Sequence, residues 1–196
     1  MERKICLQCC EGFSISLISL SIEHTRVKVF MILPVLQYPD PRLERLSVEV
    51  EKITPEIVTL AENMVETMYA RNGIGLAAPQ IGENIRLIVV DVSGPEERSD
   101  LMVVVNPRLA LCGSEVDSEE GCLSVPDYNA SVVRSDVVKV EGLKLDGTPF
   151  SFEAEGMKAI CLQHECDHLD GKLFIDKISR LKRSLYDKKI LKGIKR

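Results

Sequence analysis

The 196-residue sequence predicts one α+β domain. Three observations carry that reading. An amphipathic helical stretch comes early, a series of short β-branched segments with hairpin signals follows, and two helical stretches close the chain. The strand–helix alternation that announces a parallel sheet is absent. Composition agrees, with 45% hydrophobic and 28% charged residues, both ordinary for a globular chain. Tryptophan is absent and aromatics make up 5%, which argues against a stacking surface for nucleic acid. No apolar run reaches the roughly 18–20 residues that span a bilayer.

Residues 1–30 have a basic start and a modestly apolar middle. Gln8, Glu11 and four serines interrupt that middle, and no A-x-A-like cleavage site follows, so they make a poor signal peptide. Within them FSISLISLSI alternates like a strand. Met31 opens MILPVLQYPDPRLERLS, which reads as a natural start. The expectation is an extension over 1–30, outside the fold, and a single domain over 31–196. An upstream start codon or added residues would account for the extension.

Pro34, Pro39 and Pro41 mark an extended entry. Thr54 is placed to cap a helix that begins with Pro55 and carries Ile57, Ala61, Met64, Val65 and Met68 on one face to about residue 71. NGIGLAAPQIG (72–82) breaks it with three glycines and a proline. RLIVVDV (86–92) and LMVVVNP (101–107) read as strands, and ALCGSEV (110–116) reads as a weaker one. SEEGCLSVPDY (118–128) reads as a loop. VVKVEGLKL and TPFSFEA flank Asp146-Gly147, a hairpin signal. Gly156 precedes a helix through QHECDHL, Gly171 stops it, and a basic helix follows over about 180–194. Residues 177–196 hold nine Lys or Arg and one acid, a net +8, which leaves −13 for residues 1–176. Such a tail is either a solvated helix face or a contact for RNA or another polyanion.

QHECDH (163–168) contains two of the three histidines of the chain. At i and i+4 on a helix, His164 and His168 share a face and can aim two imidazole nitrogens at one ion. Glu165 is turned about 100° from His164, so it borders that ion without binding it, where a general base belongs. The coordination is incomplete as it stands. Phe174 occupies the third-histidine position of the extended HExxHxxGxxH pattern, and no glutamate follows Glu165. A downstream aspartate remains open, with Asp176 the nearest fair candidate, and His24 lies in the extension. Seven cysteines, at 6, 9, 10, 112, 122, 161 and 166, form no disulfide framework and suit thiol or metal-ligand roles. Cys166 faces away from the histidines, and Cys161 lies about 10 Å along the axis from His168. Cys122, between a glycine and a proline in EGCLSVP, is the better source of a third ligand, whereas Cys112 has the context of a core strand residue. A Cys-His-His set leaves a position for water. In GIGLAAPQ (73–80) the glycines let backbone approach a ligand closely, and Gln80 offers an amide donor for an oxyanion.

In this order and spacing GIGLAAPQ, EGCLSVP and QHECDH resemble the three motifs of peptide deformylases. LQYPDPRL and DGKLFIDKI extend the resemblance from about Met31 to the end of the chain. It implies antiparallel β-sheets around a central metal-binding HExxH helix, with an N-terminal and a C-terminal helix. It implies hydrolysis of the formyl group from the N-terminal methionine of nascent proteins, in the cytoplasm. Cys122, His164 and His168 would bind one divalent ion, Fe2+ physiologically and Zn2+, Ni2+ or Co2+ in isolated protein. Glu165 would be the acid/base, and Gln80 with the Leu123 backbone N–H would bind the oxyanion. Gly75, Ile74 and Gly121 would line the peptide groove, while Met157, Ile160 and Cys161 would form the methionine pocket. Glu120 and Arg134 would pair behind the metal loop. The partners implied are N-formyl-methionyl peptides and nascent chains, with a ribosomal RNA contact through the basic C-terminal helix. No membrane is involved, and the chain would act as a monomer. Two departures stand out: Cys166 replaces a usually larger apolar residue, and Asn129 stands where members often carry a basic or other polar side chain. The rival readings are a zinc peptidase with unusual ligation and a structural metal or nucleic-acid-binding protein.

Overall fold

The computed structural model describes residues 18–23 and 26–194. The chain enters through an antiparallel hairpin, β1 (Ile18–Glu23) with β2 (Arg26–Met31), paired as a separate two-stranded sheet. β1 falls within the alternating FSISLISLSI; residues 13–17 of that stretch lie outside the described residues, as do His24 and Cys6, Cys9 and Cys10. The expected first helix is α1 (Pro55–Ala70). Thr54 precedes it in extended backbone and accepts from the Val58 N–H through its carbonyl, but its side chain makes no capping bond.

Five antiparallel strands follow in spatial order β3-β4-β5-β8-β9. They are β3 (Gly75–Ala77), β4 (Leu87–Val90), β5 (Met102–Leu111), β8 (Val137–Leu143) and β9 (Pro149–Glu155). A single helical turn, α2 (Gly94–Glu97), joins β4 to β5. β6 (Glu115–Cys122) and β7 (Val125–Ser135) form a separate hairpin. The helices α3 (Gly156–Leu169) and α4 (Arg180–Ile194) complete the chain.

The five-stranded sheet is covered on both faces, which explains why β4 is an unbroken apolar run. Successive side chains of a strand alternate sides. Leu87 and Val89 join Ala61, Met64 and Met68 of α1 in one core. Ile88 and Val90 join Ala159, Leu162 and Leu169 of α3 in the other. All four β4 residues are fully buried, each burial contributing roughly 1.5–3 kcal/mol. This double cover makes α3 a buried central element. Gly171 stops it at φ +67, and a Cβ there would lie 2.5 Å from the Glu44 carbonyl oxygen. Both the left-handed backbone and the close approach require glycine.

Three expectations are corrected. ALCGSEV is not one strand: it holds the end of β5, a turn and the start of β6. SEEGCLSVPDY is not a loop but the closed end of the β6–β7 hairpin. Gly121 and Pro126 misled because a two-stranded ribbon has free edges where Pro need not donate. A bulge also absorbs residues 126–129 between the Glu120↔Ala130 and Cys122↔Val125 pairs. Cys112 is exposed and not core, since it lies in the turn after β5 and donates to the Ala110 carbonyl at 3.4 Å.

α4 docks through Tyr186, which is buried with Val125, Phe174 and Ile175. Arg180, Lys182 and Lys188 stay exposed. No helix among the described residues is long and apolar enough to cross a membrane.

Candidate active site

α3 brings His164 and His168 to one end of the cleft, and the turn of the β6–β7 hairpin brings Cys122 to meet them. Their ligand atoms all lie within 4.8 Å of one another, the one such group among the described residues. Cys122 Sγ and His168 Nε2 are 3.2 Å apart. Two donors on one tetrahedral ion with bonds of about 2.0–2.3 Å sit roughly 3.5 Å apart, so the trio fits a single ion. One thiolate and two imidazoles suit iron, zinc, cobalt or nickel. Cys161 and Cys166 stay out of this group, as the helix geometry predicts, and so does Asp176, which accepts from the Leu173 N–H and pairs with Arg183.

The surrounding charges favour a cation. His164 Nδ1 meets Glu120 Oε2 at 2.8 Å, which leaves Nε2 for a ligand. Burial disfavours a proton on His164, but Cys122 and Glu120 outweigh it and raise its pKa well above the ordinary value. A site that attracts a proton in this way also attracts a divalent ion. Burial and the neighbouring His164 push His168 well below its ordinary value, the neutral form that a ligand needs. Burial would raise Glu120 too, but hydrogen bonds from Arg134 and His164 hold it at about 2. Arg134 grips both Glu120 oxygens at 2.6 and 2.8 Å, so the two pair behind the cysteine hairpin.

Glu165 lies beside the trio, 3% exposed, with Oε2 buried and without a hydrogen-bond partner. Burial is the main cause that pushes its pKa up to about 7. Such a carboxyl is poised to exchange a proton near neutrality. Its position explains Gly75. A Cβ there would collide with Glu165 Oε1 and lie 2.8 Å from Cys161 Sγ. The glycine is required by close approach, on a short edge strand and not in a loop.

Gln80 is buried, with its amide orientation fixed. Oε1 accepts from the Ala77 N–H at 2.8 Å, so Nε2 faces Cys122 Sγ at 3.4 Å and Ser124 Oγ at 3.2 Å. Sequence reasoning missed what holds this pair of elements together. The Leu36 N–H donates to the Gln80 carbonyl at 2.7 Å, and the Tyr38 N–H to the Ser124 carbonyl at 2.8 Å. The motif LQYPDPRL thus straps the two segments, a backbone function that side-chain identity does not announce.

A cleft of about 350 Å³ opens over these groups. Ile74, Gly75, Gln80, Glu120, Gly121, Cys122, Leu123, Met157, Ile160, Cys161, His164 and Glu165 all line it. Of the residues named from the sequence, His168 and Arg134 sit behind its wall. Cys161 donates to the Ile74 carbonyl at 3.5 Å and ties the two sides of the groove. Cys166 is buried beside Leu162 and Leu169, and burial pushes its thiol up to about 12, in keeping with packing. Asp167 and Lys177, to which the sequence assigns no site role, join Arg134 on the far side of α3.

The sequence profile of the polypeptide deformylase family matches residues 32–184. A peptide deformylase from Acinetobacter baumannii (strain SDF) is 47% identical over 165 residues, covering 84% of this chain and 93% of that protein. The crystal structure of a peptide deformylase from Legionella pneumophila superposes with a TM-score of 0.78 at 43% identity, covering 84% of this chain and 96% of that one. The peptide deformylase of Ehrlichia chaffeensis, solved in complex with actinonin, gives 0.76 at 38% identity over 83% and 97% of the two chains. With profile, sequence and α+β architecture in agreement, the chain belongs to the peptide deformylase family.

Proposed function

We propose that the cleft over α3 removes the formyl group from N-terminal formyl-methionine, with the residue roles that follow. The activity is that of the family: this is a metal-dependent amide hydrolase that takes formyl off nascent polypeptides and releases formate. The observation that best supports the roles is a Cys-His-His donor set at the wall of one cleft, beside an unpartnered buried carboxyl and an oriented amide.

Cys122, His164 and His168 would hold the ion. When bound, a divalent ion lowers the pKa of water and polarises the formyl oxygen. Glu165 takes a proton from the attacking water through its free Oε2. As water oxygen bonds to the formyl carbon, the Gln80 amide and the Leu123 N–H hold the developing oxyanion. Glu165 then passes its proton to the departing nitrogen, the C–N bond breaks, and formate leaves a free amine. Ile74, Gly75 and Gly121 carry the peptide backbone, while Met157, Ile160 and Cys161 surround the methionine side chain. Glu120, backed by Arg134, holds His164 with its Nε2 turned to the ion.

Fe2+ is the ion we assign physiologically, with Zn2+, Ni2+ or Co2+ in isolated protein. Residues 31–196 act as the catalytic unit, as a monomer in the cytoplasm, and residues 1–30 lie outside it. The exposed Arg180, Lys182 and Lys188 of α4 offer cations to ribosomal RNA phosphates. Binding to ribosomes that survives deletion of 180–196 would remove that contact. Formate released from formyl-Met peptides by anaerobically purified protein, and lost in Cys122→Ala, tests the central reading. Cleavage of internal peptide bonds would instead favour a peptidase.

A further inference from the structure

The charged groups behind the cleft form a line that runs from a metal ligand to solvent. His164 Nδ1 meets Glu120 Oε2 at 2.8 Å. Arg134 spends Nε and Nη2 on the two Glu120 oxygens and donates Nη1 to Asp167 Oδ2 at 2.5 Å. Lys177 Nζ reaches the same Asp167 oxygen at 3.1 Å. Sign alternates along the line: Lys177 positive, Asp167 negative, Arg134 positive, Glu120 negative. Side-chain exposure falls inward, from 36% at Lys177 and 15% at Asp167 to 2% at Arg134. A second cleft of about 210 Å³, lined by Arg134, Asp167 and Lys177, opens on this outer end.

We propose that Asp167 is a positioning residue for the metal centre, acting through Arg134 and Glu120 on His164. Asp167 stands inside the HECDH stretch but points away from the ion site. A planar guanidinium that serves two carboxylates is fixed in orientation by both. Without the Asp167 carboxylate, Arg134 Nη1 would be buried with no charged acceptor. The guanidinium would shift toward that unmet demand and draw Glu120 with it, loosening the hold on His164. Removing one negative charge also weakens the attraction for a cation. Both effects have the same sign: metal leaves faster. Lys177 acts in the opposite sense, because it competes with Arg134 for Asp167. This inference rests on the reading of Cys122, His164 and His168 as the metal centre.

The test follows metal and not turnover. Protein loaded with Zn2+ is mixed with excess chromogenic chelator, and the release rate is recorded. Asp167→Asn should release Zn2+ about tenfold faster, the low end of the loss when a partner behind a ligand is removed. Asp167→Glu should restore slow release. Lys177→Met should release roughly twofold more slowly, as expected for removing one distant, half-solvated positive charge. Folded Asp167→Asn that releases Zn2+ at the parental rate would overturn the proposal. Should Asp167→Asn fail to fold, the Lys177 variant decides: release slower than the parental rate supports the proposal, and release at or above that rate overturns it. A merely structural role would lower the melting temperature of both variants and leave release unchanged. Parent protein that holds Zn2+ no better than Cys122→Ala would refute the site assignment itself, and this inference with it.

Discussion

Two clefts flank α3, and they differ in how their polar groups are satisfied. In the front cleft, Glu165 Oε2 is buried with no partner, and His168 Nδ1 is likewise unpaired behind its wall. In the rear cleft, Arg86 pairs with Asp170, Arg134 with Asp167 and Glu120, and Lys177 with Asp167. A buried polar atom without a partner costs about 1–3 kcal/mol, and folds retain one where it has work to do. The contrast separates a face kept reactive from a face that is electrically closed. It also explains why charge alone identifies neither: the rear cleft has more ionised groups and less chemistry.

Substitutions at either face should have very different effects. The largest effect is expected at Gln80, whose amide is aimed into the front cleft. Gln80→Leu should lower kcat by about 10²–10³-fold with little change in KM, the usual cost of removing an oxyanion donor. A KM effect alone would move Gln80 from reaction to binding. Gly75→Ala comes next. Its new methyl must displace Glu165 or the β3 backbone, and misplacing a reacting group by about 1 Å costs on the order of 10²-fold. Steady-state kinetics beside a metal assay would check this; normal turnover would mean that Glu165 can sit elsewhere. The smallest effect belongs to the rear face. Asp170 is 43% exposed in its pair with Arg86, so Asp170→Asn should cost no more than about 1 kcal/mol in denaturant unfolding and leave turnover unaltered.

The sequence made the helical half of the site legible and left the hairpin half obscure. His164 and His168 could be placed on one face because helix periodicity is local. The same arithmetic set Cys161 and Cys166 apart from the histidines, and both lie outside the ligand group. Cys122 was reachable only by elimination and by resemblance, because its approach to His168 joins residues 46 apart. Its surroundings read as a loop in the sequence because Gly121 and Pro126 are strong local signals, whereas the hairpin depends on cross-strand pairing. Asp167 stayed invisible for the same reason. Its role rests on Arg134, 33 positions away, and on Lys177 beyond the end of α3. The glycines of GIGLAAPQ read as places where backbone nears a ligand; that the close neighbour of Gly75 is Glu165 needed three dimensions.

On the proposed mechanism the front cleft divides its labour, with Cys122, His164 and His168 holding the ion and Glu165 moving the proton. Glu165→Ala tests that division directly, with metal content and formate release measured on one preparation. Parental metal content is expected, with turnover lowered at least about 10²-fold. Near-parental turnover, or loss of the metal together with activity, would contradict it.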